Sequence, residues 1–108
     1  MVYNKEKIKL KNILNSTLSL DTFEEEQMEV LNEIFREYST IINFLYKKHP
    51  NVFANQYKRD LQEIKENKMF TKKSYSDAAR IQNFVVYKDS VAQAIESTLE
   101  YLNDYIHQ

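Results

Sequence analysis

The chain has no glycine in 108 residues, and that absence constrains its fold more than any other feature. Glycine is the default residue where the backbone needs a positive φ or must approach a phosphate closely. Phosphate-binding loops, dinucleotide-binding turns, nucleophile elbows and standard calcium loops all use it. Tight β-hairpin turns favour it too. A glycine-free chain is therefore turned away from those sites and from hairpin-built sheets. With Pro50 as the only proline, helix is what remains.

Periodicity agrees. Met28, Leu31, Phe35, Tyr38, Ile42 and Leu45 follow one another at steps of three and four, a heptad stripe of almost three repeats. Ile34 and Ile41 widen it towards the face of a core-facing bundle helix. The pattern predicts a helix over residues 22–48, roughly 40 Å long at 1.5 Å per residue. Asp21 with Glu24, or Thr22 with Glu25, offers a capping box at its start. Lys47 and Lys48 suit its C-terminus, and Pro50 stops it.

Beyond Pro50, Asn51 can cap a second helix. Phe53, Tyr57, Leu61, Ile64 and Lys68 would mark its face, with an end near Asn67 and a loop over 68–74. Ser74 or Ser76 can cap a third, to whose inner face Ala78, Ala79, Ile81, Phe84 and Val85 contribute. Ser90 with Gln93 is another capping box and suggests a break near residues 88–89. Val91, Ile95, Leu99, Leu102 and Ile106 then form a stripe to the end. Residues 5–15 read as a helix, although Ile8-Lys9-Leu10-Lys11 and Thr17-Leu18-Ser19-Leu20 alternate as a strand would. A lone strand has no partner in this chain. The expected fold is a single all-α domain over residues 1–108, a bundle of four to five helices around the long central one.

Several chemistries lack their residues. There is no cysteine, so disulfides and thiolate chemistry are out, and a reducing, cytoplasmic setting is expected. No run reaches the roughly 18–20 apolar residues of a membrane span, and no membrane partner is expected. The only histidines are His49 and His107. Asp104 and His107 stand one turn apart, a spacing that di-iron bundles use twice over with further carboxylates. One copy supports no metal, and no cofactor is expected. The serines fall at caps and turns with no histidine to activate them. The expectation is a protein that is not an enzyme.

Charge carries the remaining signal. The net charge of −1 hides segregation: +3 over residues 1–11, −6 over 21–37, +6 over 47–88 and −4 over 89–108. Opposite segments could simply neutralise one another inside the bundle. The alternative is that they are contact surfaces. Glu26, Glu29, Glu33 and Glu37 step along one side of the long helix, a face suited to mimicry of a phosphate backbone or to docking on a basic protein partner. Lys58, Arg59, Lys65, Lys68, Lys72, Lys73 and Arg80 form a basic face, continued by Lys88. Tyr57, Phe70 and Tyr75 interleave with it, a mixture that suits phosphates and unstacked bases. A third reading is a homo-oligomer, with part of the apolar stripe as its seam.

One family resemblance bears on the choice. Thr17-Leu-Ser-Leu-Asp-Thr-Phe-Glu-Glu-Glu-Gln27, followed by Leu31, Tyr38 and Asn43-Phe44-Leu45, resembles the N-terminal region of transposon-encoded RNA-guided nucleases of the OrfB/TnpB type. Type V CRISPR effectors are similar there. Phe70-Thr-Lys-Lys-Ser-Tyr75, Val86-Tyr87 and Val91-Ala92-Gln93-Ala94-Ile95 extend the likeness over about residues 17–105. The family's proline before the Gln-containing helix is replaced by Asp21-Thr22. There is no room for the nuclease core and no cysteine for its zinc ribbon. The resemblance implies a helical piece without catalysis. The Lys-, Asn- and Ile-rich composition also resembles small phage and mobile-element proteins, some of which act by blocking such machinery. The expected function is therefore non-enzymatic binding, through protein–protein contacts, to nucleic-acid-processing (CRISPR-like) machinery. Direct RNA or DNA binding by the 58–88 face is the alternative.

Overall fold

The computed structural model describes residues 3–21 and 24–105, Tyr105 by its backbone only. Helix α1 spans Asn4–Leu18, α2 Glu25–Lys48, α3 Pro50–Ala54, α4 Leu61–Lys72 and α5 Asp77–Tyr105; a π-helical turn, Asn55–Asp60, joins α3 to α4. The molecule is an all-α bundle, and no strand occurs among the described residues.

Residues 4–18 are helical, so the alternation at 8–11 does not make a strand. Leu10, Ile13 and Thr17 turn inward at helical spacing, and the Thr17 hydroxyl donates back to the Ile13 carbonyl at 2.7 Å. Lys7 is buried beside them, its aliphatic stem suited to apolar surroundings. Tyr3 precedes α1 with φ 63°, a left-handed conformation unusual for a residue with a side chain. Its ring meets Phe44 edge-on at 5.9 Å, and its hydroxyl is 3.0 Å from His49 Nε2. These contacts pin the start of α1 to the end of α2.

The α2 stripe is core along its length. Leu31, Phe35, Tyr38, Ile42 and Leu45 are buried, as are Ile34 and Ile41, while Met28 is half-buried. The described helix begins at Glu25, with Glu24 as its cap residue and no side-chain cap bond. The Asp21–Glu24 capping box therefore does not form. Asp21 instead accepts a bond from Gln27 Nε2 at 3.4 Å. Thr22, the other proposed cap, lies outside the described residues.

Three expectations beyond Pro50 are corrected. Pro50, not Asn51, opens the second helical stretch: it holds the first position after the cap residue His49, where its missing N–H costs nothing. That stretch runs past Asn67 to Lys72, because Thr71 is buried and donates to the Asn67 carbonyl at 2.9 Å. The expected loop shrinks to residues 73–76. Ser76 then caps α5, its hydroxyl accepting from the Ala79 N–H at 3.1 Å. Finally, α5 is unbroken at 88–89. Ser90 starts no new helix; its hydroxyl donates to the Tyr87 carbonyl at 2.7 Å. Phe84, Tyr87, Val91, Ile95 and Leu102 bury one continuous face.

Five side-chain hydrogen bonds show the topology. Tyr87 donates to Asn32 at 2.7 Å, and Tyr38 meets Thr98 at 2.8 Å, so α2 and α5 run parallel. Gln56 donates to Ser97, and Asn83 to the Phe70 carbonyl, so α4 and α5 form an antiparallel hairpin. Lys88 donates to the Leu20 carbonyl, placing the end of α1 against the middle of α5. One hydrophobic cluster draws on α1, α2, α3, α4 and α5. The molecule measures 48 × 23 × 18 Å, its long axis close to the roughly 43 Å of a 29-residue helix.

Candidate binding surfaces

The acidic row is where the sequence places it. Glu26, Glu29, Glu33 and Glu37 are all exposed on α2, along about 17 Å of helix. Glu33 pairs with Arg36 at 2.6 Å, one turn away. Glu26, Glu29 and Glu37 make no hydrogen bond or ion pair with any described residue. Such a pair would bring little in any case, since both partners are largely exposed.

The basic face is divided by the fold. Lys58, Arg59, Lys65, Lys72 and Lys73 are exposed, and Lys68 and Arg80 half-buried. Lys58 Nζ lies 5.8 Å from the centre of the Tyr46 ring, and Lys68 Nζ 5.9 Å from that of Phe35; both ammonium groups sit on aromatic faces of the bundle itself. Arg80 donates to the Ser74 carbonyl at 3.2 Å and approaches Asp77 at 3.9 Å. Lys88 holds the Leu20 carbonyl. Arg59, Lys65, Lys72 and Lys73 have no such hydrogen bond or ion pair among the described residues. The two described ion pairs both join residues one turn apart in α2 or α5. Neither links the acidic row to the basic face.

The aromatic residues among these lysines separate as well. Tyr57 stacks flat on Tyr46, with centroids 4.2 Å apart and planes 5° from parallel; it belongs to the bundle. Phe70 and Tyr75 face solvent at 59% and 98% exposure. They stand at the α4–α5 turn, which is well held. Ser74 donates to the Phe70 carbonyl at 2.8 Å, and Asn83 donates to Ser74 at 2.8 Å. Met69 and Ile81 near this end are also about half exposed.

Two hollows accompany these surfaces. A groove of about 510 Å³ runs between α1 and α2, lined by Lys9, Asn12, Ser16, Glu37 and Thr40 over Ile13 and Ile41. A smaller one of about 190 Å³ lies between α4 and α5, lined by Asp60, Glu63, Ser90, Gln93, Ala94 and Ser97. Burial raises the Asp60 carboxyl above its ordinary range, the Glu63 carboxylate adds to that, and Arg59 partly opposes it. Next to it Gln56 is buried, donating to Ser97 at 2.8 Å while its Oε1 has no partner. Burial also raises Tyr38 and Tyr87, which keeps both phenols neutral donors within the core. Among the described residues no three His, Asp or Glu side chains gather as metal ligands do. His107, the partner expected for Asp104, lies outside them. No helix among the described residues is long and apolar enough to cross a membrane.

No family model, no curated protein and no solved structure matches the chain.

Proposed function

We propose that this chain is a non-enzymatic binding protein that works through protein–protein contacts, with the α2 acidic row as its docking face. One observation carries the reading: the charge segregation survives folding. If the segments merely neutralised one another, the acids of α2 would meet the lysines of 58–73 across the bundle. Instead Glu26, Glu29 and Glu37 are exposed, and none of them forms an ion pair with a lysine of 58–73. An exposed single-sign row steers and orients a partner of the opposite sign. The apolar stripe of α2 is enclosed by the chain's own helices, so a homo-oligomer would have to use some other surface.

The resemblance to OrfB/TnpB-type nucleases extends the proposal. The chain would be a small phage or mobile-element protein, acting in the cytoplasm, that binds and modulates nucleic-acid-processing machinery. Three proteins serve as bait in one capture experiment from a lysate of the source cells: the native chain, Glu26→Lys/Glu29→Lys/Glu33→Lys, and Lys65→Glu/Lys72→Glu. The expected result is a partner held by the native chain and by the lysine variant but lost from the glutamate variant. Identical capture by all three would overturn the reading.

A further inference from the structure

The α4–α5 turn is a place where the fold leaves costly groups unused. Phe70 and Tyr75 together expose two large rings, and Lys72 and Lys73 stand between them in sequence, both exposed and without a described ion pair. Over residues 68–82 the charge is +3, with Asp77 the single acid. A loose turn would let these rings collapse onto the bundle. This one is braced from α5 by Asn83 and Arg80, which hold Ser74 by its hydroxyl and its carbonyl. The two aromatic faces and two ammonium groups are therefore presented on a fixed support.

We propose that this hairpin end is a platform for single-stranded nucleic acid, with bases stacking on Phe70 and Tyr75 and phosphates contacting Lys72 and Lys73. Aromatic faces accept any unstacked base, and lysines track a phosphate backbone without reading sequence. A duplex keeps its bases stacked on one another and offers the two rings nothing. A lipid surface would also welcome lysines and aromatic rings. Here, however, the most exposed large hydrophobic residue, Tyr75, is flanked by Ser74 and Ser76, so its immediate neighbours in the turn are polar. An anionic protein could satisfy the lysines but has no general use for two open aromatic faces. This proposal concerns a surface distinct from the α2 row and stands or falls separately from it.

The test is fluorescence anisotropy of the full chain with labelled 20-nucleotide dT and rU strands and a 20-base-pair duplex, each at 50 and 200 mM NaCl. Co-sedimentation with vesicles containing phosphatidylserine runs beside it. Single strands should bind in preference to duplex. Two to four phosphate contacts should weaken that binding by about 7- to 50-fold between the two salts. Phe70→Ala and Tyr75→Ala should each weaken it by about 5-fold or more, and Lys72→Glu/Lys73→Glu should lower its salt dependence. All four side chains are exposed, and circular dichroism of each variant checks that it folds. The proposal is overturned by absence of binding at 50 mM salt. It is equally overturned by single-strand binding that both alanine variants leave unchanged, or by binding to vesicles without binding to either strand.

Discussion

At the scale of single residues, the polar groups inside this bundle are few and specific. Tyr38 is wholly enclosed, and its hydroxyl meets Thr98 Oγ1 at 2.8 Å. Thr98 donates to the Ala94 carbonyl at 2.8 Å, and the Tyr38 hydroxyl reaches the same carbonyl at 3.3 Å, so the two hydroxyls share one acceptor. Tyr38→Phe removes one of them but leaves the Thr98–Ala94 bond intact. It should lower unfolding stability by about 1 kcal/mol, towards the modest end for a buried hydrogen bond, as read from the urea midpoint at unchanged slope. Asp60 works the other way. Its carboxyl is raised from an ordinary 3.8, first by burial and then by Glu63, so between the ordinary and the raised value the folded state holds more of the proton than the unfolded chain does. The native protein is favoured by that proton at low pH and loses the benefit as pH rises through the raised value. Asp60→Asn should therefore match the native protein below about pH 4 and exceed it in melting temperature above that, the gap widening until Asp60 is fully ionised. A constant gap across pH would show that the carboxyl is not strained in the fold.

At the scale of elements, the π-helical turn is the feature the sequence concealed. Phe53, Tyr57, Leu61 and Ile64 were legible as one face, and Phe53, Leu61 and Ile64 are buried. The steps of four, four and three suit a turn that briefly widens, yet nothing in the residue types announces it. Gln56, a polar side chain, is buried there and Asn55 is exposed, as if one extra residue had been fitted into an α-helix. Deleting Asn55 should let i→i+4 bonding resume with both flanks still facing the core. Deleting exposed Gln62 in α4 should rotate Ile64 off it. Urea unfolding should then show a cooperative transition for the first variant, with a loss below about 2 kcal/mol, and a loss of about 2–5 kcal/mol for the second, the range for removing a buried aliphatic side chain. The reverse order would refute this view of the turn. Two of the other misread boundaries share a cause: a serine or threonine hydroxyl that can cap a helix can equally bond back within one. Ser90 reads as a start and Thr71 falls inside the expected loop, but both make backward bonds. The apolar spacing of Phe84, Tyr87 and Val91 across the supposed break was the better guide.

At the scale of the whole molecule, the long stripe of α2 was readable because one face buried from Leu31 to Leu45, about four turns, leaves a repeated mark. The surfaces were readable only in outline. Charge segregation shows in the sequence, but whether opposite segments meet depends on which sides of α2 and α4 face each other, and no local pattern encodes that. Tyr57 and Phe70 look alike between their lysines; packing against Tyr46 retires one and leaves the other outside. The unbroken α5 carries a consequence of its own. It lies parallel to α2 and antiparallel to α4, and it reaches nearly the full 48 Å of the molecule. A partner that tugs on the turn at 73–76 would thus load α4 and α5 together along their axes. Every contact along the hairpin would share the strain at once, as in a lap joint pulled lengthwise. A tug at Tyr3, at the opposite end of the fold, would instead peel α1 away one contact after another. The molecule is mechanically strong where its aromatic rings are offered and weak where α1 begins.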